Sequence, residues 1–161
     1  MSDPTQRLLL DDLNAAYADC IDADRLEQWP DFFTDPCLYQ ILPRENRDAE
    51  LPLAIVRCDS RGMLKDRIVA HREANIFGPH AYRHVIGRAH IVTEEENSII
   101  AHTNYAVFRT WLDSANYGKS ELYSVGEYRD RIVIEKGAAK LAERTVITDT
   151  SRIDSLLATP L

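Results

Sequence analysis

The pattern of hydrophobic positions changes its period near the middle of the chain, and this change predicts the fold class. Before Gly78, apolar side chains recur every three to four residues, which is typical of amphipathic helices. From Val85 onward they alternate with polar side chains, which is typical of strands. Helical segments followed by a meander of strands predict an α+β fold, with helices packed on one face of a curved antiparallel sheet.

Three helices are predicted in the first half of the chain. The start Ser2-Asp3-Pro4 combines cap-type side chains with a proline that suits the first helical position. A short second helix is predicted from Arg25 to Trp29, because Pro30 ends it. Ser60 caps the third helix. The buried faces of the first and third helices are predicted to consist of Leu9, Leu13, Ala16, Tyr17 and Cys20, and of Leu64, Ile68 and His71.

Strands are predicted on both sides of the third helix. Residues 37–42 and 51–58 form a first pair, and the polar run at 44–50 is a loop between them. In the second half, strands are predicted at residues 85–93, 98–112, 122–134 and 141–149.

The last two strands are predicted to form a long bent hairpin. Glu135-Lys136-Gly137 supplies its turn, since Gly137 can adopt the positive φ that a short hairpin loop requires. Gly126 lies inside the first strand, where glycine is typical of a bulge or a sharp bend. One register of this hairpin places Asp130 opposite Arg144.

Length, charge and cysteine content narrow the class of protein. A chain of 161 residues fits one domain that buries roughly 68–70% of its unfolded surface. A formal net charge of −7 argues against nucleic acid or an anionic membrane as the main partner. No apolar run reaches the roughly 18 residues of a membrane span, and the N-terminus does not resemble a signal peptide. Three widely spaced cysteines fit reduced thiols, so the cytoplasm is the expected location.

Histidines and aromatic side chains are the first candidates for chemistry. His80 and His84 are four residues apart and His90 follows, but Pro79 favours a loop entering a strand over a metal-binding helix. No carboxylate has a spacing that would complete a two-histidine, one-carboxylate iron site. The aromatic run from Trp29 to Phe33 is typical of a core anchor, although it could also stack on a cofactor.

Asp130 allows two interpretations. Opposite Arg144 it would form a partly buried ion pair that ties the hairpin together. In an apolar cone it could instead be a general base with a raised pKa, assisted by Tyr39, Tyr105 or a histidine. A nearby arginine lowers a carboxyl pKa and therefore favours the ion pair.

Two sets of residues carry a resemblance to a known family. Gly126-x-Tyr128-x-Asp130-x-Ile132, then Gly137, then Lys140-Leu141-Ala142-x-Arg144-x-Val146, resembles the final hairpin of the cystatin-like, or nuclear-transport-factor-2-like, cone fold. The whole chain resembles the small (β) subunit of bacterial aromatic-ring-hydroxylating Rieske non-haem iron oxygenases. That similarity rests on the following features: Trp29–Phe33 before Asp35, Tyr39, Asp59–Arg67, His84–Ile91, Arg144-x-Val146-x-x-Asp149-x-x-Arg152-Ile153 and Pro160-Leu161.

The resemblance implies a role inside a larger oxygenase. It implies an α3β3 hexamer in which the large (α) subunit carries a [2Fe-2S] Rieske cluster and a mononuclear Fe(II). A separate reductase and a ferredoxin would supply electrons from NAD(P)H. This chain would then be a mainly structural subunit, without catalytic, cofactor or metal residues of its own. Within the family the similarity is to members that act on aromatic carboxylates, salicylate 5-hydroxylase first and anthranilate and terephthalate oxygenases next.

A subunit of this kind must present contact residues to its neighbours. Aromatic side chains commonly dominate such contacts. The candidate interface residues are Tyr82, Trp111, Tyr117, Tyr123, Leu156, Leu157 and Leu161. The alternative is a stand-alone cone-fold isomerase or dehydratase with a carboxylate or histidine in its pocket, since similar folds host both kinds of protein.

Overall fold

The computed structural model describes residues 3–74, 78–149 and 159–161, in which helices pack against a seven-stranded sheet. The first helix, α1, contacts strands β3 and β7, and α3 contacts β1. The elements in chain order are α1 (Pro4–Asp22), a 3₁₀ helix (Leu26–Phe32), β1 (Phe33–Pro43), α2 (Arg44–Asp48), β2 (Val56–Cys58), α3 (Arg61–Glu73), β3 (His80–Ile86), β4 (His90–Glu94), β5 (Ile99–Trp111), β6 (Ser120–Glu135) and β7 (Ala138–Thr148).

The strand order is β2-β1-β7-β6-β5-β3, and β4 also pairs with β5. Among the strands that the structure describes, the pairing is antiparallel except between β1 and β7, which run parallel. The predicted curved antiparallel sheet therefore contains one parallel pair that the sequence analysis did not indicate. Parallel neighbours require a long crossover, and here the crossover is most of the chain, which no local pattern reveals.

The hairpin of β6 and β7 has the predicted turn. Lys136 and Gly137 have φ values of 51° and 81°, as a two-residue type I′ turn requires. Of the two features expected at Gly126, a bulge or a sharp bend, the bulge is not found there, because the ladder passes through its partner Thr148 without a register shift. Glycine is needed there for a different reason: an added Cβ would lie 1.9 Å from the carbonyl oxygen of Ile147. The shift occurs instead between Arg131 and Ile132.

Both predicted helix caps are confirmed. The Asp3 side chain accepts a hydrogen bond from the Thr5 amide at 2.9 Å, and the Ser60 hydroxyl accepts one from the Met63 amide at 3.2 Å. The predicted face of α3 is buried as expected. The face of α1 is partly wrong, because Leu9 is only half-buried and Ala16 is exposed. The buried residues of α1 are Leu10, Leu13, Asn14, Tyr17, Ala18, Cys20 and Ile21.

Besides small shifts at the strand ends, four elements differ in type or extent from the sequence prediction. The second helix is a 3₁₀ helix that contains Pro30 rather than ending before it, and the polar run after β1 includes the short helix α2. Of residues 51–58 only Val56–Cys58 form a strand, since Pro52 cannot donate to a ladder. The strand predicted at 85–93 is two strands, β3 and β4, separated by residues 87–89.

Aromatic side chains fill the core between the helices and the sheet. Trp29 lies edge-on to Phe33 at 5.6 Å and to Tyr39 at 4.9 Å between ring centroids. All three side chains are buried, so the aromatic run near residue 30 is a core anchor. Among the described residues, no helix combines the length and the apolar character needed to cross a membrane.

Candidate functional site

Asp130 and Arg144 form an ion pair in the interior of the protein. They are directly opposite each other in the β6–β7 ladder, and both side chains are 0% exposed. Arg144 Nε and Nη2 donate to the two carboxylate oxygens of Asp130 at 2.9 and 2.7 Å. Nη2 also donates to Asn14 Oδ1 at 2.5 Å, which attaches α1 to the pair. Such a two-pronged contact fixes the position of the guanidinium more firmly than a single hydrogen bond would.

Tyrosine rings cover the guanidinium on two sides. The Arg144 Cζ atom lies 4.2 Å from the ring centroid of Tyr17 and 4.1 Å from that of Tyr128. These distances fit cation–π contacts, which are strong when water is excluded. Tyr105 stacks on Tyr128 at 4.7 Å and continues the group along the sheet. Asn14, Tyr17, Tyr128, Asp130 and Arg144 are called the Arg144 cluster below.

The electrostatics keep the Arg144 cluster in one protonation state. Burial alone would lower the pKa of Arg144, but the Asp130 carboxylate more than offsets this and the pKa is raised. Burial raises the pKa of the Tyr17 and Tyr128 phenols. The guanidinium is therefore charged and the phenols neutral at ordinary pH. Two buried atoms, Arg144 Nη1 and the Tyr128 hydroxyl, have no hydrogen-bond partner among the described residues.

This arrangement is unsuited to a general base. The tyrosines proposed to assist Asp130 have other hydrogen-bond partners. The Tyr39 hydroxyl donates to the backbone oxygen of Leu161, and the Tyr105 hydroxyl is hydrogen-bonded to Ser124 Oγ at 2.9 Å. Both Asp130 oxygens accept from Arg144, so neither is free to take a proton from a substrate. The geometry supports the ion-pair interpretation of Asp130.

A second arginine lies in a similar environment nearer the surface. Arg109 Nε and Nη2 donate to Glu121 Oε1 at 3.2 and 2.5 Å, and Trp111 Nε1 donates to the same oxygen at 3.0 Å. The Arg109 Cζ atom lies 4.2 Å from the Trp111 ring and 4.6 Å from the Tyr123 ring. Tyr82 stacks on Tyr123 at 5.2 Å. Tyr82, Arg109, Trp111, Glu121 and Tyr123 are called the Arg109 cluster.

The Arg109 cluster brings together three of the candidate interface residues, Tyr82, Trp111 and Tyr123. Trp111 and Tyr123 are half-buried, so each still presents part of its ring to a neighbour. Hydrogen bonds from Arg109 and then from Trp111 lower the pKa of Glu121, which keeps this carboxylate charged.

The candidate interface residues differ widely in their exposure. Tyr117 is 77% exposed, whereas Tyr82 and Leu161 are buried inside their own chain. The expectation that Tyr82 and Leu161 present themselves to a neighbouring subunit is therefore wrong, because their surfaces are already covered. Leu156 and Leu157 lie outside the described residues.

The three histidines considered from the sequence lie on strands β3 and β4. His80 and His84 belong to strand β3, not to a loop. The Asp22 carboxylate accepts from the His84 backbone amide at 2.8 Å and contacts its Nδ1 at 2.6 Å, which attaches the end of α1 to β3. His90 is exposed on β4. Within the described ranges, no group of three His, Cys, Asp or Glu side chains is arranged to hold a metal ion.

Sequence reasoning missed three important polar residues, Asn14, Arg109 and Glu121. Asn14 stands between apolar residues of α1, where an amide is normally assigned to solvent. Arg109 had a usable signal, because its position in β5 has the same parity as the apolar residues Tyr105 and Val107. An arginine at such an inward position needs a carboxylate partner, which predicts an acidic residue on the neighbouring strand.

Comparison with known proteins identifies the family. The model of the ring hydroxylating beta subunit family matches residues 16–155. The chain belongs to this family.

Two characterised members of the family are similar over most of their length. The chain is 41% identical over 149 residues to the anthranilate 1,2-dioxygenase small subunit of Burkholderia cepacia, covering 92% of this chain and 90% of that protein. It is 41% identical over 148 residues to a terephthalate 1,2-dioxygenase terminal oxygenase component subunit beta of Comamonas sp, covering 92% and 94%.

A solved structure of the family shows the same fold. A protein of Novosphingobium aromaticivorans, assigned as the beta subunit of an aromatic-ring-hydroxylating dioxygenase, superimposes with a TM-score of 0.86 at 48% identity, and 97% of each chain is covered. The α+β cone expected for the ring-hydroxylating beta subunits is thereby confirmed.

Proposed function

We propose that this protein is the small, mainly structural subunit of a multicomponent aromatic-ring-hydroxylating oxygenase. The observation that carries the proposal is the similarity to small subunits of two named dioxygenases over more than nine-tenths of the chain. As a component of such an enzyme, the protein takes part in an oxidoreductase reaction. The interior ion pair of Asp130 and Arg144 supports a structural role, because it fixes the fold rather than presenting a reactive group.

The catalytic groups belong, in this proposal, to a large-subunit partner. That subunit holds the [2Fe-2S] Rieske cluster and the mononuclear Fe(II), and three copies of it assemble with three copies of this chain. A ferredoxin and a reductase deliver electrons from NAD(P)H. All of residues 1–161 act as one domain, and the complex works in the cytoplasm, in keeping with three buried, unpaired cysteines.

The substrate of the complex is proposed to be an aromatic carboxylate. Anthranilate and terephthalate, in the names of the two similar proteins, share a carboxylate on a benzene ring. Salicylate has the same carboxylate and an ortho hydroxyl group, and it is the first substrate to test.

The outer face of the sheet supports an interface with the large subunit. Phe108 and Leu122 are direct partners on β5 and β6, and both are exposed. Val85 and Val125, also exposed, lie one row away, each paired with Ala106. Contiguous exposed apolar side chains of this kind mark a contact surface. The partly exposed Trp111 and Tyr123, the exposed Tyr117, and Leu156 and Leu157 remain proposed contributors to this interface.

Co-expression with a Rieske-type large subunit tests the proposal. We expect the two chains to co-purify as a complex and hydroxylation of salicylate, anthranilate or terephthalate to require both chains. A large subunit that hydroxylates at the full rate without this chain would contradict the structural role. Turnover of a carbonyl substrate by the chain alone, lost in Asp130→Asn, would favour the isomerase or dehydratase alternative.

Exposed residues allow the interface to be tested without disturbing the fold. We expect Leu122→Ser and Tyr117→Ala each to weaken association with the large subunit by about tenfold, because truncating one of the few energetically dominant contact residues costs more than about 1 kcal/mol. Leu8→Ser, on the exposed side of α1, is the matched control and should leave association unchanged. Equal affinity for all three variants would exclude this face as the interface.

A further inference from the structure

Leu161 lies inside the cone and forms hydrogen bonds there through its backbone. Its amide donates to the Tyr39 hydroxyl at 3.1 Å. Its carbonyl oxygen accepts from the Tyr17 hydroxyl at 2.8 Å and from the Tyr39 hydroxyl at 3.4 Å. The residue is 1% exposed, and its side chain belongs to the main hydrophobic core.

The two residues before Leu161 are buried as well. Thr159 and Pro160 are both covered, and the Thr159 side chain is hydrogen-bonded to Tyr82. The first and last of these three residues are therefore held by three tyrosines that come from α1, β1 and β3. These tyrosines are far apart in sequence from the segment that they bind.

The binding groups have the chemistry of a ligand site. Burial raises the pKa of the Tyr17, Tyr39 and Tyr82 phenols, so each keeps its proton and can donate. The Tyr39 hydroxyl accepts from an amide N–H and donates to the carbonyl of the same residue. This pairing recognises both backbone polar groups of one residue, and the surrounding core accommodates its apolar side chain. Small-molecule pockets commonly combine an apolar lining with a few fixed polar groups in this way.

We propose that residues Thr159–Leu161 occupy a small-molecule binding site in the cone, formed by Tyr17, Tyr39 and Tyr82. When this segment is removed, the site binds N-acylated derivatives of branched aliphatic amino acids. The class follows from what Leu161 presents: an N–H, a carbonyl oxygen and a branched apolar group. This inference goes beyond the oxygenase role and does not depend on it. The cone can therefore hold a ligand, but in the full-length protein residues 159–161 occupy its place.

A truncated protein and a peptide added in trans test the proposal. Ending the chain after residue 158 removes the occupant, and N-acetyl-prolyl-leucinamide is the probe. We expect the probe to raise the Tm of the truncated protein saturably, by roughly 3–6 °C at ten times its Kd. N-acetyl-prolyl-glycinamide, which lacks the branched group, should give less than a third of that shift. The full-length protein should respond to neither peptide, because its site is filled. Equal shifts with both peptides, or no shift in a folded truncated protein, would overturn the proposal.

A full-length variant keeps the proposal testable if the truncated chain does not fold. Leu161→Gly leaves the backbone in place and removes only the branched group. We expect it to lower the Tm by roughly 5–15 °C, as for other buried leucines, and to bind xenon, as dry apolar cavities do. The control Leu53→Gly changes a side chain that is mostly exposed and should give no xenon-dependent chemical shift beyond that of the unchanged protein. Identical xenon responses of Leu161→Gly and the unchanged protein would reject the site.

Discussion

The Arg144 cluster and the Arg109 cluster are built from the same parts. In each, one carboxylate accepts two hydrogen bonds from an arginine, and two aromatic rings lie close to the guanidinium. The carbon-to-ring distances are 4.1 and 4.2 Å at Arg144, and 4.2 and 4.6 Å at Arg109.

The two clusters differ in their exposure to solvent. The Arg144 and Asp130 side chains are both 0% exposed, whereas Arg109 is 4% exposed and its partner Glu121 is 31% exposed. A buried charge that loses its partner has no water to replace it, but a partly exposed one does. The same arrangement is therefore a rigid part of the interior at Arg144 and a group that water can reach at Arg109.

The largest expected effect comes from removing the charge of the interior carboxylate. Asp130→Asn leaves the buried Arg144 guanidinium uncompensated, so we expect the free energy of unfolding to fall by roughly 3–5 kcal/mol. Urea unfolding monitored by circular dichroism measures it. Glu121→Gln is the matched change in the other cluster and should cost clearly less. Equal losses in the two variants would show that burial does not distinguish the clusters.

Alkaline pH should lower the free energy of unfolding mainly through tyrosines in the interior. Burial raises the pKa of five phenols, four of them in or beside the Arg144 cluster: Tyr17, Tyr39, Tyr82, Tyr105 and Tyr128. In the unfolded chain these groups titrate near 10, so it loses protons that the folded chain keeps, and stability falls as pH rises. Between pH 8 and pH 10 we expect a loss of roughly 0.4 kcal/mol per tyrosine, or about 2 kcal/mol in total.

Acidic pH should lower the stability that Glu121 contributes in the Arg109 cluster. The lowered pKa of Glu121 gives stability that is present above the unfolded value near 4.5 and is lost as pH falls through the folded value. Urea titrations from pH 3 to pH 10 test both limbs. A Glu121→Gln variant that keeps the full acid-dependent loss, or a flat alkaline limb, would contradict the assignment.

A charge-conserving change in the surface cluster should have a moderate effect. Arg109→Lys keeps the positive charge but loses the paired hydrogen bonds and the flat stacking surface, so we expect a loss of about 1 kcal/mol. Thermal unfolding measures it. Arg129→Lys alters a more exposed pair with Glu127 and should change stability by less than about 0.5 kcal/mol. If Arg129→Lys cost as much as Arg109→Lys, the aromatic rings would contribute nothing.

The smallest effect is expected at a hydroxyl that makes no hydrogen bond. Tyr128→Phe keeps the ring over Arg144 and removes an oxygen that has no partner among the described residues, so stability at pH 7 should change by less than about 0.5 kcal/mol. The same variant should reduce the alkaline loss by about one-fifth, since one titrating group is gone. A loss above about 1.5 kcal/mol at pH 7 would show that the hydroxyl is engaged.

Local features of the chain could be predicted from the sequence. The turn at Lys136 and Gly137 and the alternation in its two arms are short-range signals, and they fix the pairing next to the turn, from Glu135 opposite Ala138 to Ile132 opposite Leu141. The register shift between Arg131 and Ile132 then sets Asp130 opposite Arg144, and the turn alone does not predict it. The cap at Ser60 is local in the same sense.

The structural features that could not be predicted from the sequence depend on contacts between residues that are far apart in the chain. Asn14 bonds to Arg144 across 130 positions, so its burial has no signal in α1 itself. Leu161 bonds to Tyr17 across 144 positions, and a leucine near the end of a chain is normally assigned to the surface or to a partner. The parallel pairing of β1 with β7 has the same origin, because pairing energy depends on neighbours that a window of sequence does not contain.

That pairing of the first strand with the last has a consequence for biosynthesis. β1 runs beside β7 from Phe33 opposite Leu141 to Pro43 opposite Thr148, so the early strand stays without this neighbour until the much later residues of β7 have been synthesised. The nascent chain carries Trp29 and Phe33 uncovered during that time, and exposed aromatic surface on a ribosome-bound chain attracts chaperones or other nascent chains. The sheet can therefore close around these aromatic side chains only after β7 has been synthesised.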